Sequence, residues 1–221
     1  MVRRPSNTQA SIFDELAPVY DAWFDEEGRL TFAIEVQAFQ EVLPSVPKPW
    51  LEIGVGSGRF AQALGIKTGL DPSSRLLEMA RRRGITAVLG RGEMQPFTEE
   101  SFGTVFLIVT LSFVDSPLDV LKEAYRILRS GGKIVLGLVL RGSPWGKFYQ
   151  QKKQQGHRFY KHATFRRYGK VVTLLEKAGF STEKVISTLF QKPGKVEDME
   201  LPRDSFSPRA GFTIVVAGKP G

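Results

Sequence analysis

The sequence predicts an α/β fold of the doubly wound type: a mostly parallel seven-stranded sheet with an antiparallel hairpin at one edge. Three observations predict it. Strand-like and helix-like segments alternate through the first two thirds of the chain, as in parallel strands joined by crossover helices. The run Thr104-Val105-Phe106-Leu107-Ile108-Val109-Thr110 is apolar and β-branched between its threonines, as a strand covered on both faces should be. Well ahead of it, the stretch Trp50-Leu51-Glu52-Ile53-Gly54-Val55-Gly56-Ser57-Gly58-Arg59-Phe60 reads as a buried strand, a tight glycine turn and a helix start.

The remaining elements follow in order. Residues 1–11 are polar and are expected to fray. Ile12, Phe13, Leu16, Val19, Tyr20, Trp23 and Phe24 fall at helical spacing, interrupted by Pro18, so two short helices are expected. A helix over 30–43 would place Phe32, Val36, Phe39 and Leu43 on one face, and Pro44, Pro47 and Pro49 then stiffen the approach to the glycine strand. Beyond the turn come a short helix over 59–64, a strand over 67–71 ending in Asp71, and a helix over 75–83 capped by Ser73 or Ser74. A strand over 85–89, a loop over 90–97, the apolar strand and a helix over 118–128 lead to Ser130-Gly131-Gly132 and a strand over 133–140. The end of the chain reads as a helix over 171–178, a strand over 180–189, a loop over 191–209 and a strand over 212–217, the two strands pairing antiparallel. The whole forms one domain: residues 1–48 a helical cap, 49–140 a ligand-binding core, 141–170 a lid, and 171–221 the last helix and edge strands.

Composition narrows the function. The 221 residues hold no cysteine and two histidines, which excludes disulfides and thiolate metal sites and leaves no basis for a metal centre. No apolar run approaches the roughly 20 residues of a membrane span, and no signal-like core follows the first arginines, so a cytoplasmic protein is expected. The net charge of +8 is regional: residues 124–175 contain 12 Lys or Arg and no acid, leaving 19 bases against 23 acids elsewhere. Residues 141–170 interleave these bases with Trp145, Phe148, Tyr149, Phe159, Tyr160, Phe165 and Tyr168 and hold both histidines, His157 and His162.

Glycines let a ligand approach the main chain, and the helix start beyond them offers free N–H groups. From Gly56 the letters also satisfy G-x-G-x-x-A, a dinucleotide fingerprint. Glu52 weighs against that use, because a carboxylate at the strand end repels a pyrophosphate and attracts a cation.

Four motifs in order carry a family likeness: Leu51-Glu52-Ile53-Gly54-Val55-Gly56-Ser57-Gly58, Gly69-Leu70-Asp71-Pro72-Ser73, Gly90-Arg91-Gly92-Glu93-Met94-Gln95-Pro96-Phe97 and Leu121-Lys122-Glu123-Ala124-Tyr125-Arg126-Ile127-Leu128-Arg129-Ser130-Gly131-Gly132. With them the chain resembles the class I, seven-stranded, Rossmann-like S-adenosylmethionine-dependent methyltransferases, in their small-molecule "type 11" branch. The resemblance implies S-adenosylmethionine as cofactor and S-adenosylhomocysteine as product. It places Glu52 near the positive end of the cofactor and the backbone of Gly54, Val55, Gly56 and Gly58 against it. It gives Asp71, beside Pro72, the two ribose hydroxyls; a turn or capping role is the alternative for Asp71. Gly92, Glu93 and Met94 would line the adenine. Arg91 stands where the family often has an acid, and it cannot accept a proton from the adenine amino group. Thr110 would meet the methionine part, or serve the strand end alone. Tyr20 would cover the cofactor, or simply pack.

The acceptor is expected beneath the lid, as a small planar or anionic molecule bound by rings and by bases such as Lys152, Lys153 and Arg158. His157, His162, Tyr149 and Tyr160 are candidates for a general base, each with surface or packing roles as the alternative. Methyl transfer from a sulfonium does not itself require a base or a metal. Other readings are a nucleic-acid methyltransferase using the basic region, a nicotinamide oxidoreductase, and a non-catalytic cofactor-binding protein. The fourth strand ends in Val109-Thr110-Leu111-Ser112, without the Asn/Asp-Pro-Pro-aromatic pattern of base-amino methylases. No membrane partner is expected, and the protein would be a monomer or homodimer.

Overall fold

The computed structural model describes residues 8–221, so fraying over 1–7 lies outside the described residues; positions 8–11, expected to fray, begin a helix. Seven strands form one sheet in the order β3-β2-β1-β4-β5-β7-β6. They are β1 (Trp50–Ile53), β2 (Thr68–Asp71), β3 (Thr86–Leu89), β4 (Phe102–Ile108), β5 (Leu128–Leu138), β6 (Ser181–Thr188) and β7 (Phe212–Gly218). β1 to β5 run parallel, and β7 runs antiparallel to both β5 and β6. The last strand therefore lies inside the sheet and the strand before it forms the edge. All seven residues of β4 and all seven of β7 are buried.

Helices cover both faces, as a parallel sheet requires. On one face lie α3 (Arg29–Gln40), α4 (Arg59–Leu64), α5 (Ser74–Arg82) and α7 (Pro144–Gln154); on the other lie α6 (Pro117–Ile127) and α8 (Tyr168–Lys177). β4 shows why two cores result. Val105 and Leu107 join one apolar cluster while Phe106 and Ile108 join the opposite one, following the two-residue period of a strand.

The N-terminal helices are α1 (Thr8–Glu15) and α2 (Ala17–Ala22), with Pro18 in the first turn of α2, where its missing N–H costs nothing. Tyr20 thus lies within α2. In α3 the expected face is one flank of the buried one: Phe39 is fully buried, and Phe32, Val36 and Leu43 pack partly buried against the same cluster, Leu43 lying beyond the helix end at Gln40. Thr31, Ile34, Glu35, Ala38 and Phe39 are buried, whereas Phe32 and Val36 are half-exposed. Two elements packing against α3, β6 and α4, rotate its burial toward the sheet. β5 begins at Leu128 and passes through the Gly131-Gly132 stretch with an irregularity in its pairing to β4, so the glycines sit inside the strand rather than before it. The segment 141–170, expected to be a lid, has regular structure of its own: α7 starts at Pro144 behind the Ser143 side-chain cap, and a short 3-10 turn spans Tyr160–His162.

Strand order reverses between β1 and β4, and ligands of such sheets bind at the carboxyl ends beside that switch point. The glycine turn follows β1 there, with the N-terminal helices and lid above it.

Candidate active site

A cavity of about 820 Å³ opens at this switch point. Its floor is the glycine turn. Gly54, Gly56 and Gly58 have φ of 75°, 53° and 83°, a left-handed backbone that side chains rarely adopt. Gly54 and Val55 N–H groups both donate to the Leu70 carbonyl, tying the turn to β2. A Cβ on Gly54 would collide with the Thr110 side chain. Thr110 is itself fixed, its hydroxyl lying 3.0 Å from the Ile53 carbonyl and 3.1 Å from that of Ile108. It follows Val109, which is held at φ 60°, an uncommon state for a β-branched residue.

Two buried carboxylates close the floor. Asp71 is 7% exposed; its Oδ2 accepts from Gly56 N–H at 2.9 Å and its Oδ1 from Ser73 N–H at 2.8 Å. Burial raises its pKa to about 6, with those two N–H groups opposing the shift. Glu52 is 2% exposed, and its Oε2 has no hydrogen-bond partner among the described residues. Burial first, then the Asp71 charge, raise its pKa well above the ordinary carboxylate range, against the Ala61 N–H in the first turn of α4. A buried carboxylate without a counter-charge is costly, so this pair suits a ligand that brings positive charge and hydroxyl donors. The floor fits the charge and hydroxyls of S-adenosylmethionine, and Glu52 Oε2 is the atom left for it to satisfy.

Tyr20 stands over the turn: a Cβ on Gly56 would lie 3.4 Å from its hydroxyl. Burial, then Asp71 and Glu52, push the Tyr20 phenol above its ordinary range. The side chain is therefore a neutral cover beside both carboxylates. Phe13 of α1, Phe113 after β4 and Phe159 of the lid complete a roof of rings, with Phe13 5.6 to 5.8 Å from Phe113, Phe159 and Tyr20.

Most residues expected from the sequence meet here. Tyr20, Glu52, Gly54, Val55, Gly56, Asp71, Pro72, Gly92, Glu93 and Thr110 line the cavity, as do His157, Tyr149 and Tyr160. Gly58 and Met94 do not. Gly58 packs on α5, where an added Cβ would come within 3.0 Å of Ala80 Cα. Met94 is 79% exposed, because the turn at 91–94 directs it to solvent. Glu93 also braces the neighbouring chain, since its Oε1 accepts from the Asp115 and Ser116 N–H groups just ahead of α6. Arg91 pairs with Asp115 at 2.6 Å, so an acid does stand beside this loop, supplied from a distant position.

The lid contributes aromatic rings more than bases. Trp145, Phe148, Tyr149, Phe159, Tyr160 and Phe165 all line the cavity. Of the three bases singled out, Lys152 alone lines it, its amine 4.9 Å from the centre of the Phe148 ring. Lys153 donates to the Ala163 carbonyl and Arg158 is exposed. Burial raises the Tyr149 phenol well above its ordinary value and takes Tyr160 to about 12, so both are hydrogen-bond donors near neutral pH. Burial, with Lys152 and Arg158 adding to it, lowers the His157 pKa. Its Nδ1 accepts from Phe159 N–H at 3.4 Å, which leaves the proton of the neutral ring on Nε2. His162 stands away from the cavity lining.

Two features escaped the sequence reading. One is the Asp21–Arg59–Asp25 group with Arg83, which joins α2 to the glycine turn. Its partners lie too far apart in sequence for spacing to reveal. The other is Glu35, an acid inside the buried stripe of α3, whose signal was a charge between Ile34 and Ala38.

Residues 51–136 match the family model described as "Methyltransferase domain". The chain is similar to a crystal structure from Thermotoga maritima described as "SAM-dependent methyltransferase, possible histamine N-methyltransferase", with 37% identity, 96% of this chain and 99% of that one covered, and a TM-score of 0.88. It is 36% identical to an uncharacterized protein of Methanocaldococcus jannaschii, over 95% of this chain and 99% of that protein. It is 39% identical to an uncharacterized protein of Mycobacterium tuberculosis, over 91% of this chain and 71% of that one.

Proposed function

The chain belongs to the S-adenosylmethionine-dependent methyltransferases, and on that premise we propose that it methylates a small planar acceptor held between the glycine turn and the aromatic lid. One observation supports this most: a single cavity joins the carboxylate-lined floor to a chamber walled by lid rings. The cofactor supplies the methyl group and a thioether leaving group, so the reaction is an in-line displacement. The protein's share is placement and exclusion of water. In this reading Glu52 and Asp71 hold the cofactor's charge and hydroxyls, Gly54, Val55 and Gly56 allow close backbone approach, and Pro72, Gly92 and Glu93 border its base. Tyr20 and the surrounding rings keep the chamber dry. Tyr149, Tyr160 and His157 face the acceptor as donors that orient it. The likeness to a protein described as a possible histamine methyltransferase agrees with an acceptor of this size.

The basic stretch offers less to nucleic acid than its sequence suggests. Arg126 binds Glu123, Lys133 binds Glu183, and Arg166 donates to the Leu111 and Thr164 carbonyls. Calorimetry with S-adenosylmethionine, S-adenosylhomocysteine and NAD tests the cofactor half. Micromolar binding of the first two and none of NAD is expected, and preference for NAD would reject the reading. Transfer of labelled methyl to a panel of small aromatic acceptors tests the other half; binding without turnover on the whole panel would favour a non-catalytic protein.

A further inference from the structure

The chamber holds an acid that cofactor binding does not use. Glu35 projects from the middle of α3, is 6% exposed, and lines the cavity one helical turn from Thr31, which lines it too. Among the described residues its carboxyl has no hydrogen bond or ion pair. Among the described residues no cation is paired with it, and burial raises its pKa to about 8. It is close enough to Tyr149 and Tyr160 for its charge to disfavour ionisation of either phenol. Those two rings lie 4.3 Å apart, and Phe165 stacks on Tyr149 at 6.1 Å. The cations lining the same cavity are Arg59 and Arg91, both already paired with acids, and Lys152; Glu26, Glu27 and His157 line it too.

We propose that Glu35 selects the acceptor by holding a cationic nitrogen carried on a small aromatic or planar molecule within this chamber. The inference rests on reading the chamber as the acceptor site. A carboxyl left without a partner in an apolar wall gains most from a ligand that supplies the counter-charge and is itself desolvated. Ring faces beside it favour the same kind of ligand, because ammonium groups are attracted to aromatic faces. Of the two acceptor classes that the sequence left open, planar and anionic, the anionic one fits poorly. It would meet Glu35 and the two floor carboxylates, with Lys152 as the lid base facing it. Glu35 acts here in recognition; no proton or group transfer is assigned to it.

The test uses the full chain saturated with S-adenosylhomocysteine and two probes of like shape and opposite charge, tryptamine and indole-3-propionate, followed by calorimetry. Tryptamine should bind the wild type at least tenfold more tightly than the acid. Glu35→Gln should erase that preference and leave the S-adenosylhomocysteine Kd within twofold, while Glu35→Asp retains part of it. Equal or reversed preference in the wild type overturns the proposal without recourse to any variant, as does a preference that survives in folded Glu35→Gln. Failure of the wild type to bind S-adenosylhomocysteine overturns the underlying assignment of the site and this inference with it. Cofactor binding without amine preference overturns this inference alone.

Discussion

Arg59 clasps Asp21 through two parallel hydrogen bonds, Nε to Oδ1 at 2.8 Å and Nη2 to Oδ2 at 2.9 Å. The first residue after the glycine turn is thereby fixed to the residue after Tyr20. Arg83 adds a third bond to Asp21 at 2.7 Å, and Asp25 also engages Arg59. The clasp joins the helix that carries Tyr20 to the glycine turn and so couples the N-terminal helices to the floor of the cavity.

Removing the clasp should loosen both. Arg59→Ala leaves Asp21 half its partners in a mostly buried position, and a loss of about 2 kcal/mol is expected in urea unfolding. Cofactor affinity should fall about tenfold in the same variant. Burial alone would raise the Asp21 pKa, but the bonds from Arg59 and Arg83 bring it from 3.8 to about 2. Its stabilising contribution is thus complete above pH 4 and is lost as pH falls through 2. Acid unfolding of Arg59→Ala should occur at higher pH than that of the wild type.

The floor carboxylates predict a pH-dependent cofactor affinity. Asp71 titrates near pH 6, burial and the Asp71 charge hold Glu52 well above the ordinary carboxylate range, and only the ionised forms attract a cation. Binding of S-adenosylmethionine should tighten as pH rises from about 5 to about 8. Asp71→Asn and Glu52→Gln should each weaken it at least tenfold at the upper end of that range and flatten the profile. A pH-independent Kd in the wild type would contradict the assignment of both residues.

Glu35 makes a separate statement about stability. Its folded pKa of about 8 lies above the ordinary 4.5, so the folded state prefers the protonated form. Its contribution is full below pH 4.5 and is lost as pH rises through 8. Glu35→Gln mimics the neutral carboxyl. It should match the wild type in Tm at about pH 4 and exceed it at about pH 9, a comparison that differential scanning calorimetry can make directly.

Gly54→Ala should be the most damaging single change in the turn. It places a side chain at φ 75° and against Thr110, whose hydroxyl joins the ends of β1 and β4. A loss of about 3 kcal/mol and of measurable cofactor binding is expected. Gly65→Ala has the same φ but open space around it, and should cost about 1 kcal/mol with binding kept.

The sheet was legible because each strand up to β4 is short, apolar and bounded by turn residues, and because three glycines after Ile53 permit one kind of connection. Glu52 and Asp71 were legible for the same reason: strand ends place them, whatever packs above. The face of α3 was legible only at its flank. Several apolar residues sit on both of its sides, and the choice depends on β6 and α4, which no local period reports. Met94 misled because motif spacing fixes a backbone path, while one turn decides which side chains face inward. The lid bases misled because charge in a run says nothing of partners such as the Leu111 or Ala163 carbonyl.

The place of β7 has a consequence for how the chain is made. During synthesis β5 and β6 emerge first, each exposing an unpaired edge, and the strand that must slot between them is delivered last. Nascent chains halted before Phe212 should therefore be sticky substrates for chaperones, until β7 emerges and pairs with both neighbours.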